Sequence, residues 1–182
     1  MTNTKPNLIL IGLRASGKST IGAKLALELQ LPFVDLDNAT AQHLNEPSTG
    51  TAIANHGMEA FRAGEFQTLQ AQLIKTTQVL ALGGGTPTAP GCSELLSSAQ
   101  ASGSSRIFYL KATPATLQQR LQHTDNSSRP SLTGADLIDE VQTVFDARDP
   151  LYAELAESTI HVDNMTEDSL LVALLALIHA GI

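Results

Sequence analysis

The sequence predicts an α/β fold in which a parallel sheet is covered by helices on both faces. Three observations carry this. Strand-like apolar runs alternate with helix-like amphipathic segments along the chain. The first strand-to-helix junction holds Gly12-Leu13-Arg14-Ala15-Ser16-Gly17-Lys18-Ser19, which fits G-x-x-x-x-G-K-[ST], the phosphate-binding P-loop. Gly12, Asp35 and Gly83 each follow an apolar run, and an open α/β sheet gathers such positions at the carboxyl edge of its strands.

The strand candidates are Leu8–Ile11, Phe33–Asp35, Val79–Leu82, Ile107–Leu110 and Thr159–Val162. Leu8–Ile11 is continuously apolar, as a strand buried on both faces should be. Helical patterns fill 18–30, 58–75, 91–99, 113–121, 135–147 and 166–179. In the first, Ile21, Leu25 and Leu29 recur every fourth residue and form one apolar stripe. The last opens with Thr166-Glu167-Asp168, acids in the first turn. Residues 45–57 read as a short helix and loop. Residues 122–135 are polar, contain Pro130 and Gly134, and read as a long loop, a candidate mobile lid.

Composition bounds the function classes. The chain has 182 residues and a mass of 19.2 kDa, so a single domain spanning 1–182 is expected. At this size roughly 70% of the unfolded surface is buried on folding, enough for a real core. Cys92 is the only cysteine, which excludes an intramolecular disulfide and suits a reducing compartment. The polar start of the chain shows no signal-peptide pattern, and the apolar stretch Leu170 to Ile178 is too short to span a bilayer. A cytoplasmic enzyme is expected. The net charge of −7 argues against a nucleic-acid partner. Any anionic ligand must therefore be held by a local cluster of cations.

The P-loop chemistry needs these residue types. Gly12 and Gly17 let the backbone curl so that successive N–H groups point at phosphate oxygens. The helix N-terminus adds its positive dipole. Lys18 brings a full charge to the outer phosphates, and the Ser19 hydroxyl can ligate Mg²⁺. Expected nucleotide-phosphate contacts are Gly12, Ala15, Ser16, Gly17, Lys18, Ser19 and Thr20. The competing reading, an ordinary βα turn that happens to contain lysine, does not account for the spacing and the strand–helix context together.

The carboxylate that accompanies such a loop must come from elsewhere. Val79–Leu82 runs into Gly83-Gly84-Gly85 with no Asp, and Ile107–Leu110 ends in Lys111. Phe33-Val34-Asp35-Leu36-Asp37 supplies two carboxylates two residues apart. If extended geometry persists through Asp37, both side chains point the same way. One could hold a metal-bound water while the other reaches an acceptor hydroxyl.

Six arginines are present: Arg14, Arg62, Arg106, Arg120, Arg129 and Arg148. Arg62 follows Phe61, Arg129 precedes Pro130 in the lid candidate, and Arg148 opens Arg148-Asp149-Pro150-Leu151-Tyr152. Arginine suits planar, bidentate recognition of carboxylate or phosphate. Beside a P-loop, these arginines suggest two anion sites: one for nucleotide phosphate, the other for a substrate with its own negative charge.

With these residues in place the chain resembles a shikimate kinase from end to end. The ordered set is the P-loop, Asp35-Leu36-Asp37, Phe61-Arg62 with Glu65 after it, Gly83-Gly84-Gly85, Arg129-Pro130-Ser131-Leu132-Thr133-Gly134 and Arg148-Asp149-Pro150-Leu151-Tyr152. The resemblance implies a P-loop kinase with a five-stranded parallel sheet of order 2-3-1-4-5. It implies transfer of the ATP γ-phosphoryl group to the 3-hydroxyl of shikimate, a step of aromatic amino-acid biosynthesis, by a monomer that needs Mg²⁺. It implies that Asp37 binds shikimate hydroxyls and acts as base, while Ser19 and, through water, Asp35 hold Mg²⁺. By the same resemblance Arg62 and Arg148 grip the carboxylate with backbone at Gly84 and Gly85. Arg129 is the lid arginine that reaches the ATP phosphates, and Arg120 resembles the adenine-stacking arginine. The family usually has Glu where Met58 follows Gly57. A proline often found in its adenine loop is not evident between Val162 and Leu170.

The resemblance leaves three alternatives. A related small-molecule kinase, for example one acting on gluconate, would also use arginines for a carboxylate, but the ordered motif set disfavours it. An inactive kinase-like binding module conflicts with intact Lys18, Ser19, Asp35, Asp37 and Arg129. A GTPase switch lacks its Asn-Lys-x-Asp motif.

Overall fold

A computed structural model describes residues 5–75, 77–123 and 140–180. Five parallel strands form one sheet in the order β2-β3-β1-β4-β5, as expected: β1 (Asn7–Ile11), β2 (Phe33–Asp35), β3 (Val79–Ala81), β4 (Ser105–Lys111) and β5 (Ser158–His161). Seven helices are described: α1 (Lys18–Leu29), α2 (Leu36–His43), α3 (Thr49–Leu73), α4 (Cys92–Ala101), α5 (Pro114–Gln122), α6 (Val141–Leu155) and α7 (Glu167–Ala180). A short 3-10 turn covers Thr86–Thr88. None of the described helices is long and apolar enough to cross a membrane.

Central strand β1 is buried along its whole length, consistent with its unbroken apolar run. Side-chain alternation along β4 shows why both faces are covered. Arg106 points to one face, where it donates to the carbonyls of Leu177 and Ile178 at the end of α7. Tyr109 and Lys111 point to the other, where both donate to the Asp149 carboxylate on α6. The α1 and α7 helices pack together on the Arg106 face, tied by Lys24–Glu167. Most buried apolar side chains join in one core, with Ile9, Leu10, Ile11, Leu80, Phe108 and Leu110 fully buried.

Local chemistry sets the helix ends. Thr113 caps α5 ahead of Pro114, and the Thr166 hydroxyl accepts from the Ser169 N–H at 3.2 Å to open α7. Ser48 and Thr51 form a reciprocal capping box at the start of α3. That helix breaks at Gly57 (φ 83°, ψ 163°), a left-handed φ that glycine adopts without a Cβ clash. Residues 45–57 thus hold a loop and the first turns of α3, in keeping with the short helix and loop expected there.

Two expectations need correction. Extended geometry does not persist through Asp37. The strand ends at Asp35, whose carboxylate accepts from the Asn38 N–H at 3.2 Å and starts α2 at Leu36. Asp is a strong N-cap, and that local bond outcompetes continuation of a three-residue strand. The sixth helix runs through Pro150 to Leu155, beyond the expected 135–147. Proline removes one backbone bond, but burial of Tyr152 and Leu155 holds the segment in the helix. Most of the expected lid, 122–135, lies outside the described residues, including Arg129.

Candidate active site

The site is built at the carboxyl edge of the sheet from the loop after β1, the start of α2, α3, the loop after β3, and α6. In the P-loop, Gly17 (φ 96°) stands at the N-cap of α1. Lacking a side chain, it leaves the first N–H groups of that helix open to an anion. Ala15 also takes a left-handed φ of 64°, an uncommon conformation for a residue with a Cβ and one that clusters at ligand-binding loops. Lys18 is buried, and its ammonium donates to the Leu13 carbonyl at 2.9 Å and to Ser16 Oγ at 3.4 Å. The Ser19 hydroxyl donates to the Asp35 carboxylate at 2.5 Å. Sequence-distant oxygens are thus brought together beside the loop. Ala15, Gly17, Lys18, Ser19, Thr20, Asp35 and Asp37 line one cleft, whereas Gly12 and Ser16 are buried and do not line it.

A second cleft adjoins the first. Its walls include Arg62, Gly84, Gly85, Arg148, Asp37 and Arg14, with apolar side chains Leu13, Ile53, Met58, Phe61, Leu121, Val141 and Val144. Arg62 is ion-paired with Glu65 one helical turn along α3, and Thr86 Oγ1 donates to the other Glu65 oxygen at 2.6 Å. Glu65 is completely buried, and burial pushes its carboxyl above the ordinary range against the opposing pull of Arg62 and Thr86. Arg148 donates to the Gly84 carbonyl at 2.8 Å, and Tyr152 donates to the same oxygen at 2.8 Å. Burial lowers the Arg148 guanidinium from its ordinary value and pushes the Tyr152 phenol up to about 12. The guanidinium stays charged and the phenol stays protonated at neutral pH. Each arginine is anchored through part of its five-donor fork, so further donors are available to a planar anion.

Arg14, Asp37 and Gly84 line both clefts. A carboxylate that is buried, flanked by an anion-binding loop on one side and two arginines on the other, sits where a phosphoryl donor and an anionic acceptor would meet. Arg120 stands apart from the second cleft. It lines a recess with Ala15, Gly17, Thr20, Gln119 and His123, and donates to the carbonyls of Ala15 at 3.2 Å and Val162 at 3.1 Å.

The sequence marks Arg14 only as one of six arginines and gives no role to Thr49, Ile53, Met58 or Glu140, all of which line the second cleft. Arg14 carried a signal, since it lies inside the P-loop; the others reach the cleft only through tertiary packing. Glu65 was marked only as part of a motif, although its i,i+3 spacing from Arg62 places the two on one helix face.

The shikimate kinase family model matches residues 14–178. A shikimate kinase of Enterococcus faecalis is 34% identical over 165 residues, covering 91% of this chain and 94% of that protein. One from Mycobacterium avium is 36% identical over 158 residues, covering 87% and 84%. The solved structure of shikimate kinase from Acinetobacter baumannii in complex with shikimate superposes with a TM-score of 0.86 at 28% identity, covering 98% of this chain and 95% of that one. With this fold, this site and these relatives, the chain belongs to the shikimate kinase family of ATP-dependent phosphotransferases.

Proposed function

We propose that the two clefts hold ATP and shikimate, and that the γ-phosphoryl group passes between them at Asp37. The observation that carries this reading is that Asp37 lines both clefts while Lys18 lines only the first and Arg62 and Arg148 only the second. Arg62 and Arg148 pair with the shikimate carboxylate, supported by backbone at Gly84 and Gly85. The 3-hydroxyl is thereby turned toward the P-loop. Asp37 accepts the hydroxyl proton while the acceptor oxygen bonds to the γ-phosphorus. The bond from that phosphorus to the bridging oxygen breaks, its electron pair leaving with ADP. Positioning and charge neutralisation do most of the work, since the transferring group is loosely bonded in the transition state.

Ser19 and Asp35 offer oxygen donors only, the set that a hard cation prefers, so the residues fit Mg²⁺. When bound, that ion supplies positive charge to the phosphate oxygens. Lys18 and the α1 N-terminus bind the outer phosphates, and Arg120 borders the recess proposed for adenine. Arg129 completes the proposed site as an arginine from the lid. The same reading takes 1–182 as one kinase domain acting in the cytoplasm as a monomer, in the formation of aromatic amino acids.

A coupled ADP-release assay with Mg²⁺ and shikimate, quinate or gluconate tests the reading. Release dependent on shikimate is expected. Release with gluconate but not shikimate would replace it with a gluconate-type kinase, and no release with any acceptor would favour a binding module.

A further inference from the structure

We propose that Asp149 is a positioning residue for the acceptor carboxylate: held by Tyr109 and Lys111 on β4, it sets the rotation of α6 and so aims the Arg148 guanidinium into the second cleft. This rests on the phosphotransfer reading above and names what orients one of its two carboxylate-binding arginines.

Asp149 follows Arg148 in α6, so the two side chains leave the helix about 100° apart. Arg148 lines the second cleft, while Asp149 faces the sheet. The Tyr109 hydroxyl donates to one Asp149 oxygen at 2.9 Å, and the Lys111 ammonium donates to the other at 2.8 Å. Tyr109 and Lys111 stand two residues apart on β4 and so share one face of the sheet. That strand is paired on both sides, with β1 and β5, which makes it a fixed reference. Burial pushes the Tyr109 phenol well above its ordinary value, so it remains a donor.

Asp149 is the polar member of a longer seam. Phe145, Asp149 and Tyr152 recur at i, i+4 and i+7 on one face of α6. The Lys111 ammonium lies 5.4 Å from the Phe145 ring centroid, and the Tyr109 and Tyr152 rings meet edge-on at 5.6 Å. Ring contacts tolerate a small rotation of the helix, whereas the hydrogen bonds to Asp149 are directional. Pro150, the next residue, removes the backbone bond that its position would make to the Asp146 carbonyl, beside Arg148. On the cleft side the Gly84 carbonyl holds one guanidinium nitrogen of Arg148. A planar fork meets both oxygens of a carboxylate only when held within about 0.5 Å and 10–20°. Asp149 fixes the helix from behind, and Gly84 fixes the guanidinium in front. The Lys111 and Asp149 side chains are still 25% and 20% exposed, so the ion pair adds little to stability, and loss of aim outweighs loss of fold.

The test is steady-state kinetics of the full chain, with each substrate varied in turn, for Asp149→Ala and Asp149→Asn in the wild-type and Arg148→Ala backgrounds, alongside thermal melts. Glu157→Gln, which breaks the Arg106 pair on the opposite face of β4, is the control. Asp149→Ala is expected to raise the shikimate KM about 10-fold, below the roughly 10²-fold cost of a 1 Å misplacement, and the ATP KM less than about threefold. Asp149→Asn keeps an oxygen for Tyr109 and is expected to lose less. The control is expected to leave both KM values unchanged. In the Arg148→Ala background Asp149→Ala is expected to add little, because the side chain it aims is gone. If Asp149→Ala does not fold, Asp149→Asn and Tyr109→Phe carry the same comparison. Equal rises for both substrates, an unchanged shikimate KM in a variant with a lowered melting temperature, or an undiminished effect without Arg148 would each overturn the assignment. A wild-type chain that releases no ADP in response to shikimate would overturn the functional reading itself, an outcome distinct from these three.

Discussion

Arg148 and Gly84 are joined by a 2.8 Å hydrogen bond from the guanidinium to the carbonyl, and Tyr152 donates to the same oxygen. A side chain on α6 is thereby locked to the loop that follows β3. Tyr152 stacks edge-on against Tyr109 at 5.6 Å, and Asp149 accepts from Tyr109 and Lys111 on β4. The helix carrying Arg148 is therefore keyed to the sheet at several points. Arg148→Lys keeps the charge but loses the fork, so the shikimate KM should rise with a smaller change in the ATP KM. Replacing Arg148 by Ala should cost about 2–5 kcal/mol of acceptor binding, the range for leaving a desolvated charge unpaired. Initial rates with each substrate varied in turn check both.

Gly84→Ala tests the same junction from the other side. The new methyl would meet the Arg14 nitrogen at 2.9 Å, closer than real Cβ contacts come. Neither backbone can move freely, so the strain should fall in the range of about 1–3 kcal/mol. Lower turnover and weaker acceptor binding are expected, with the melting temperature reduced by about 2–12 °C, since each kcal/mol shifts a chain of this size by about 2–4 °C.

Asp37→Asn should lower turnover roughly 10²- to 10⁴-fold, the usual range for lost general-base assistance. Nucleotide binding should survive, because the P-loop backbone and Lys18 are untouched. Near wild-type turnover in this variant would remove Asp37 as the base.

Arg129→Ala should reduce turnover by as much as about 10³-fold if this arginine reaches the transferring phosphoryl group. A surface role predicts a nearly neutral change. Single-turnover rates with saturating shikimate separate the two.

A further prediction concerns stability away from the site. Arg106 donates to both Glu157 oxygens while capping the carbonyls at the end of α7. The Arg106 hydrogen bond holds the Glu157 carboxyl below its ordinary range. That contribution is fully present above the unfolded carboxylate pKa of about 4.3, and is lost as pH falls through the lower folded value. The pair is partly exposed, so its worth is only about 0.2–1 kcal/mol. Urea midpoints of wild type and Glu157→Gln should differ by a constant amount from neutral pH down to about pH 5, then converge below it.

The parts of the fold that were legible in the sequence are those where local pattern and tertiary burial agree. The unbroken Leu8–Ile11 run marks a strand buried on both faces, and the P-loop spacing fixes the junction after it. Helix α2 was not legible. Its eight residues are mostly polar, and so short a helix depends on the Asp35 cap and on packing of Leu36 and Ala41. Asp35 and Asp37 still reach one cleft, but through an N-cap and a first helical turn, not through strand alternation. For α6, the proline at 150 reads as a stop in sequence, yet burial of Tyr152 carries the helix past it. Arg62, Arg148, Gly84 and Gly85 were recoverable as a set because their motifs are ordered. Ile53 and Met58 line the same cleft from either side of the break in α3 at Gly57.

The central claim is that the γ-phosphoryl group of ATP crosses from the P-loop cleft to a hydroxyl of shikimate at Asp37. Phosphorus NMR of the chain incubated with ATP, Mg²⁺ and shikimate measures this directly, with Asp37→Asn alongside. The predicted result is a new phosphate-monoester resonance, coupled to the proton at carbon 3 of shikimate, growing in step with ADP in the wild type and strongly slowed in the variant. ADP accompanied only by inorganic phosphate, or a monoester formed equally fast by Asp37→Asn, would contradict the account.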